Sequence, residues 1–183
     1  SGNINLITAE NLSKHSGYSV GNIYHHFKNL DQVFINIFLK KRLEFFLELA
    51  DEVNKFPKNK SCEDLCEILV NKSFEKVTKL KIKMLQYLYK IVLTKSEEPE
   101  KINLIIDVLI DPLIECRKRN KTNSFRKIEE DEMRLLLRSF QAFVRSPFLE
   151  NQSIAGTLAH RKLTLDLCQK LFCTTYPSKL TEQ

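Results

Sequence analysis

The chain has 183 residues, a length that suits one compact domain or a small domain sharing helices with a larger one. Its four glycines and five prolines fall well below the average share of about 12% for these two residues, which excludes a many-stranded sandwich or barrel. We therefore predict an all-α protein. The net charge of +6 favours a polyanionic partner such as nucleic acid, although many proteins with this charge bind none.

Membrane and export classes are also excluded by the sequence. The most apolar segment, residues 102–114, is interrupted by Asn103, Asp107 and Asp111, so we expect no membrane span. The first residues carry neither a basic stretch nor an apolar run, and no export signal is visible. The cysteines lack the spacing of a disulfide framework, which predicts a reducing, cytoplasmic location. They are Cys62, Cys66, Cys116, Cys168 and Cys173.

Two short helices are predicted at the start of the chain. Thr8 is a good N-cap for a helix that ends near Ser16, and a second short helix covers about residues 20–26. Gly17 between them suits a left-handed backbone, and the small residue Ser13 suits a close crossing, as in a helix-turn-helix. The side chains expected in the core of this unit are Leu12, Ser16, Tyr18 and Ile23.

The outer face of the second helix carries small and hydrogen-bonding side chains. Small residues at its start allow a helix to enter the major groove of DNA, and the polar residues behind them can bond to base edges. This pattern predicts a surface that reads bases. Its members are Ser19, Val20, Gly21, Asn22, Tyr24 and His25.

Longer helices follow, in which apolar residues recur at steps of three and four. The first is predicted from its N-cap Asp31 to about Phe56. A second is capped by Ser61 and reaches about Leu80, and a third covers residues 82–95.

The second half of the chain is predicted to contain three more helices. One runs from Pro99, a good first-turn residue, to about Asn120, with a kink at Pro112. A loop covers residues 117–127. The last two helices are expected over about 129–144 and 157–173, separated by breaks at Ser146-Pro147 and at residues 151–153.

A specific motif accompanies the two short helices. It comprises Thr8, Leu12, Ser13, Ser16, Gly17, Tyr18, Ser19, Gly21, Asn22, Ile23, Tyr24, His26, Phe27, Lys28, Asn29, Asp31, Val33 and Phe34. At these positions the chain resembles the TetR/AcrR family of bacterial transcriptional regulators. In that family the first helix of the motif crosses the DNA backbone, the second reads bases, and the Tyr-x-His-Phe stretch contacts phosphates and docks on the long helix.

The resemblance implies roles for individual residues. It gives phosphate contacts to Tyr24, His25, His26 and Lys28, and places Val20, Gly21 and Asn22 near the bases. The full predicted DNA-binding set is Thr8, Ser19, Val20, Gly21, Asn22, Tyr24, His25, His26 and Lys28.

The chain departs from the family pattern at three points. The family usually has a lysine at the position of Leu30 and a small hydroxyl residue at the position of Asn22. It also has a helix before the motif, whereas only seven residues precede Thr8, so that first helix is expected to be missing here. The resulting division is a helix-turn-helix region over 1–30 and a helical ligand-binding and dimerisation domain over 31–183.

The helices between Asp31 and Asn120 contain more large apolar residues than packing alone requires, which predicts an effector cavity. Because no cluster of Arg or Lys was evident in the apolar stripes, we expect a small hydrophobic effector. The predicted lining is Phe45, Phe46, Leu49, Asn71, Phe74, Gln86, Tyr87, Leu88, Ile106 and Leu109.

The last two helices are more apolar than one inner face requires, which predicts a homodimer. The expected interface is Met133, Leu136, Leu137, Phe140, Phe143, Val144, Leu163, Leu167, Leu171 and Phe172. A twofold dimer would place two reading helices on successive major grooves of a near-palindromic double-stranded DNA operator. The predicted function is therefore a repressor that an effector releases from DNA.

The histidines, cysteines and lysines of the chain allow other interpretations. His25 and His26 point about 100° apart on a helix, and Cys62 and Cys66 are more often small buried side chains than ligands, so no metal or cofactor is predicted. The lysines between residues 72 and 95 suit a solvated face. No phosphate loop or catalytic pair occurs, so no enzyme is predicted.

The rival function is a helical dimeric interaction module with a vestigial DNA-binding head. It is kept open by the missing first helix and by the low local charge, since the only charged side chains before Leu30 are Glu10, Lys14 and Lys28.

Overall fold

The computed structural model describes residues 8–78 and 82–174, and over these residues the protein is all-helical, as predicted. Phe125 and Cys173 form an isolated antiparallel bridge. No helix in this part of the chain is long and apolar enough to cross a membrane. The helices are α1 Ala9–Ser16, α2 Val20–His26, α3 Leu30–Lys55, α4 Cys62–Thr78, α5 Ile82–Lys95, α6 Lys101–Leu104, a 3₁₀ segment Ile105–Leu109, α7 Ile110–Arg119, α8 Glu130–Leu149 and α9 Leu158–Phe172.

The N-cap of the long helix α3 lies two residues before the predicted one. This N-cap is Asn29, whose side-chain oxygen accepts a hydrogen bond from the backbone N–H of Gln32 at 2.9 Å. Asp31, the predicted cap, lies inside the helix and bonds to side chains of α5 instead. The helix ends at Lys55 because Phe56 is extended, as expected for a residue that precedes proline.

The start of α4 agrees with the sequence. The hydroxyl of Ser61 accepts from the backbone N–H of Asp64 at 3.2 Å, and the Asp64 carboxylate accepts from the backbone N–H of Ser61 at 2.9 Å. This reciprocal pair satisfies two backbone donors at the helix start and lowers the pKa of Asp64. The predicted end at Leu80 lies outside the described residues.

The helix predicted from Pro99 to Asn120 is divided. It begins at Lys101, so Pro99 lies just before it, and a 3₁₀ segment over Ile105–Leu109 separates α6 from α7. In a continuous α-helix the ring of Pro112 would clash with the carbonyl of Val108, so the distortion falls in the turn before the proline. The predicted kink is therefore present as this 3₁₀ segment. Because α7 continues to Arg119, the following loop starts at Asn120 rather than at residue 117.

The predicted break at Ser146-Pro147 is wrong, because α8 continues through it to Leu149. A proline at 147 has no N–H to donate to the carbonyl of Phe143 four residues earlier. Nε2 of the buried His160 donates to that carbonyl instead, at 2.7 Å. The predicted break at residues 151–153 is present, and Asn151 has a left-handed φ of 54°.

Two groups of buried apolar side chains form the core. The larger group lies where α3, α4, α7, α8 and α9 meet, and Leu49 and Val70 are fully buried there. The second lies between the first half of α3, α5 and the end of α8, around Ile35 and Val92. Because α3 contributes to both groups, it connects the N-terminal helices to the whole bundle.

Candidate functional site

Local hydrogen bonds define the ends of the two N-terminal helices. Thr8 caps α1, its hydroxyl accepting from the backbone N–H of Asn11 at 3.2 Å. Gly17 ends α1 with a left-handed φ of 77°, and its N–H donates to the carbonyl of Ser13 at 3.0 Å. Ser19 then caps α2 through the backbone N–H of Asn22 at 3.1 Å. The predicted boundaries of both helices are confirmed.

The inner face of this unit is smaller than predicted. Ile23 is buried, and Leu12 and Ser13 are half-buried. Tyr18 is 63% exposed and Ser16 is exposed, so their predicted places in the small core are wrong. The left-handed turn at Gly17 moves the chain off the helix, so the positions after it do not continue the apolar face.

The outer face of this unit holds most of the predicted DNA-binding set. Because Ile23 packs inward, the residues around it on α2 point away from α1. The exposed members are Ser19, Gly21, Asn22, Tyr24, His25, His26 and Lys28, whereas Thr8 and Val20 are half-buried.

Lys28 bonds to a residue beyond α5. Its ammonium group pairs with the Glu97 carboxylate at 2.6 Å, and both side chains are largely exposed. The pair raises the pKa of Lys28 and lowers that of Glu97. The lysine to which the resemblance gives a phosphate contact thus already has an anionic partner within this chain.

A second polar contact joins the start of α3 to α5. The Asp31 carboxylate accepts from Lys95 at 2.5 Å and from the Tyr87 hydroxyl at 2.7 Å. The bonds to Lys95 and Tyr87 lower the pKa of Asp31. Burial and the Asp31 bond raise the pKa of Tyr87 to about 12. Together with the Lys28–Glu97 pair, this contact joins the segment after α2 and the start of α3 to α5 and the residues that follow it.

A cavity of about 160 Å³ lies between α3, α4, α5 and α8. Its apolar wall includes Phe38, Phe45, Leu85 and Val144, and the exposed lysines 41 and 76 stand at its edge. Engineered apolar cavities of about 150 Å³ hold a benzene molecule, so this space suits one aromatic ring or a short aliphatic chain. We call it the α3–α8 cavity.

Two arginines line the α3–α8 cavity. Arg42 donates to the carbonyl of Ile102 at 3.0 Å and to the side-chain oxygen of Gln141 at 2.5 Å, and Arg145 donates to Asn103 at 3.0 Å. Within residues 8–78 and 82–174, no carboxylate pairs with either arginine. Burial and the neighbouring Arg145 both lower the pKa of Arg42.

An unpaired amide group accompanies these arginines. Gln141 is only 5% exposed, and its Nε2 has no hydrogen-bond partner among the described residues. A buried amide donor without a partner costs about 1–3 kcal/mol. Arg42, Arg145 and a glutamine with an unsatisfied amide donor therefore line an otherwise apolar cavity.

Most of the predicted effector-binding residues lie outside the α3–α8 cavity. Phe45 and Phe46 line it. The predicted polar handles bond elsewhere, since Asn71 accepts from Arg161, Gln86 donates to the carbonyls that end α8, and Tyr87 donates to Asp31. The remaining predicted residues pack in the core groups: Leu49, Phe74, Leu88, Ile106 and Leu109.

The predicted lining missed the arginines because it contained only apolar and uncharged polar residues. Arg42 stands four residues from Phe38 and four from Phe46, so it lies on the apolar stripe of α3. This spacing is the sequence signal that could have placed Arg42 beside the cavity. The expectation that the cavity lining has no cluster of arginines is wrong, because Arg42 and Arg145 both line it.

The predicted dimer interface is divided between core and surface. Met133, Leu137, Phe140 and Val144 are buried within the protomer, so they are not available to a partner. Leu163 and Leu167 are 54% and 37% exposed. The others are half-buried: Leu136, Phe143, Leu171 and Phe172. The buried apolar residues of α8 pack within the protomer, and the exposed apolar side chains of the predicted interface lie on α9.

Comparisons with models of known protein families, with curated proteins and with solved structures found no match to this chain.

Proposed function

We propose that the protein is a DNA-binding regulator of transcription whose DNA affinity responds to a ligand. The observation that carries the proposal is the face of α2, where an N-capped helix with a small first turn exposes Asn22 and Tyr24 while Ile23 anchors it to α1. Such a helix has the shape and the donors needed for the major groove. The resemblance to TetR/AcrR regulators supports the same assignment.

Selection from random DNA duplexes tests the DNA-binding half of the proposal. Tyr24→Ala is expected to weaken binding to all sequences, because it removes a phosphate contact. Asn22→Ala is expected to change the preference at one base step by about 1–3 kcal/mol. Leu93→Ala, at an exposed position of α5, is the matched surface control.

A chain that enriches no sequence would contradict the proposal, as would Tyr24 and Asn22 variants that bind a selected duplex like the parent. That outcome would favour the second candidate, a helical interaction module. One observation favours this candidate, namely that Lys28 is already paired with Glu97 and little other positive charge accompanies α2.

The ligand is proposed to occupy the α3–α8 cavity and to be an anion with a small apolar body, such as an aromatic or short-chain carboxylate. The apolar walls favour the body of such a ligand, and Arg42, Arg145 and the Gln141 amide can donate to its carboxylate. A purely apolar ligand would leave the amide donor of Gln141 unsatisfied.

Calorimetry with a carboxylate and its neutral alcohol tests this assignment. Benzoate and benzyl alcohol are a suitable pair, because they differ mainly in charge. Arg145→Gln removes a charge-assisted hydrogen bond worth about 1.5–3 kcal/mol, so benzoate should bind about 10- to 150-fold more weakly while benzyl alcohol is unaffected. Arg138→Gln, on the same helix but paired with Asp107 outside the cavity, is the control. Equal losses for both compounds would refute the assignment.

A further inference from the structure

The strongest feature that the proposed function does not use is a group of buried cysteines between α4 and α9. The sulfur atoms of Cys62, Cys66 and Cys173 all lie within 4.8 Å of one another, and the three residues are at most 5% exposed. Cys168, also buried, lies against Cys66. We call Cys62, Cys66 and Cys173 the thiol cluster.

Separate elements bring these sulfurs together. Cys62 and Cys66 lie one turn apart on the inner face of α4, and Cys173 directly follows α9. Ser124, in the loop before α8, accepts from the backbone N–H of Cys62 at 2.7 Å and from that of Thr174 at 2.8 Å. The backbone therefore holds both sides of the thiol cluster in place.

The size of the cluster fits a thiophilic cation. Zinc–sulfur bonds of about 2.3 Å place the sulfurs of a tetrahedral site about 3.8 Å apart. Since the three sulfurs already lie within 4.8 Å of one another, each needs to move by less than about 1 Å. A void of about 30 Å³ lined by Cys62, Cys66 and Cys168 adjoins the cluster and gives room for this adjustment.

The surroundings also suit an anionic metal–thiolate centre. Three thiolates around Zn²⁺ carry a net charge of −1, and around Cu⁺ a net charge of −2. Arg126 lines the adjoining void, and its buried Nε has no hydrogen-bond partner among the described residues. The guanidinium group of Arg126 also pairs with the Glu132 carboxylate, but its unused Nε donor could bond to a thiolate and offset part of that charge.

We propose that the thiol cluster binds one thiophilic cation, Zn²⁺ or Cu⁺, through the thiolates of Cys62, Cys66 and Cys173. Binding releases the three thiol protons to solvent, and no electron is transferred. Cys168, which contacts Cys66, and Glu63, which contacts Cys173, are candidates for a fourth ligand. The cation would join the start of α4 to the residue that follows α9.

The test loads the full-length protein after removal of metal with a chelator under reducing conditions. One arm adds Zn²⁺ and measures the metal retained per chain after dialysis. A Co²⁺ titration in the same arm reports thiolate ligation through its near-ultraviolet charge-transfer band. The second arm adds Cu⁺ in competition with a chromophoric Cu⁺ chelator. The expected result is one cation per chain in at least one arm, and the arms decide between the two metals.

Variants show whether the cluster is the site. Cys66→Ser is expected to lower the affinity at least a hundredfold, and Cys116→Ser, which removes a buried cysteine of α7 outside the cluster, is expected to have no effect. Circular dichroism checks that each variant is folded. Cys173→Ser, outside the helices, replaces Cys66→Ser if that variant unfolds, and it is expected to lose the cation equally.

Retention of neither cation by the unmodified protein would overturn the proposal. Equal binding by the Cys116 and cluster variants would also overturn it. The proposal would likewise be overturned if air oxidised the cluster to a disulfide and the re-reduced protein then showed no detectable metal binding.

Discussion

The proline inside α8 leads to a prediction about how that helix is stabilised. Pro147 leaves the carbonyl of Phe143 without its usual backbone donor, and Nε2 of His160 supplies one at 2.7 Å. Nδ1 of the same ring accepts from the backbone N–H of Gly156 at 3.2 Å, which assigns the neutral tautomer with its proton on Nε2. The ring also packs against Phe74, with 4.7 Å between ring centroids.

We expect His160→Phe to lower the free energy of unfolding by about 2–6 kcal/mol. The phenyl ring keeps most of the volume, but it leaves a buried carbonyl and a buried N–H unpaired, and each costs about 1–3 kcal/mol. Restoring a backbone donor with Pro147→Ala should remove the carbonyl part of this cost. The double-mutant cycle is therefore expected to show a coupling of about 1–3 kcal/mol between positions 147 and 160.

Urea denaturation followed by far-ultraviolet circular dichroism measures all four proteins of the cycle. His25→Phe, at an exposed position of α2, is the control and should change the free energy of unfolding little. If His160→Phe costs the same with proline and with alanine at 147, the explanation given for the continuity of α8 is incorrect.

Three further predictions concern DNA binding, assembly and pH. Glu97→Gln should free Lys28 for a phosphate, so that DNA binding tightens and the slope of log K against log salt steepens by about one; an unchanged slope in a filter-binding titration would contradict this. If the chain forms the homodimer predicted from the sequence, replacing both Leu163 and Leu167 with Glu should convert it to a monomer in sedimentation, whereas Leu93→Glu at an exposed position of α5 should not. The pKa of Asp31 is lower in the folded protein than in the unfolded chain, where it is about 3.9, so its ionised carboxylate stabilises the fold above that pH. This stability is lost as the pH falls through the pKa of the folded state. Asp31→Asn should therefore reduce the change in the free energy of unfolding between neutral and acid pH by about 1 kcal/mol or less.

The helix ends that could be predicted are those set by neighbours in the sequence. Thr8, Gly17 and Ser61 act on N–H and carbonyl groups within four residues, so their chemistry is visible in the sequence itself. The break wrongly predicted at Pro147 depends on His160, which is distant in sequence and reaches the helix only through the tertiary fold. The rule that a proline ends a helix considers only neighbouring residues, so it cannot take account of a hydrogen-bond donor from another helix.

The binding residues were harder to predict because an apolar stripe does not reveal what covers it. Met133 and Phe140 have the spacing of an interface, yet they are buried under other helices of the same chain. Arg42 was absent from the predicted lining, although its position between Phe38 and Phe46 places it on the apolar stripe of α3. The proximity of the Cys66 and Cys173 sulfur atoms depends on the packing of α4 against α9, so no pattern in the local sequence indicates it.

The energy needed to couple the α3–α8 cavity to α2 indicates which contacts must change. A ligand that weakens DNA binding a hundredfold requires about 2.7 kcal/mol of coupling, and by linkage it would bind the DNA complex a hundredfold more weakly. Solvent screens the exposed Lys28–Glu97 pair, and the partly exposed Asp31–Lys95 pair contributes about 1 kcal/mol or less, so polar contacts alone are insufficient. The remainder must come from packing between α3 and α5, where about 110 Å² of apolar surface would account for the whole 2.7 kcal/mol. That area is less than one aromatic side chain buries. Phe38 lines the cavity and packs edge-on against Tyr89 of α5, with 5.4 Å between ring centroids, so it is the side chain whose displacement we expect to move α3 and the helices before it.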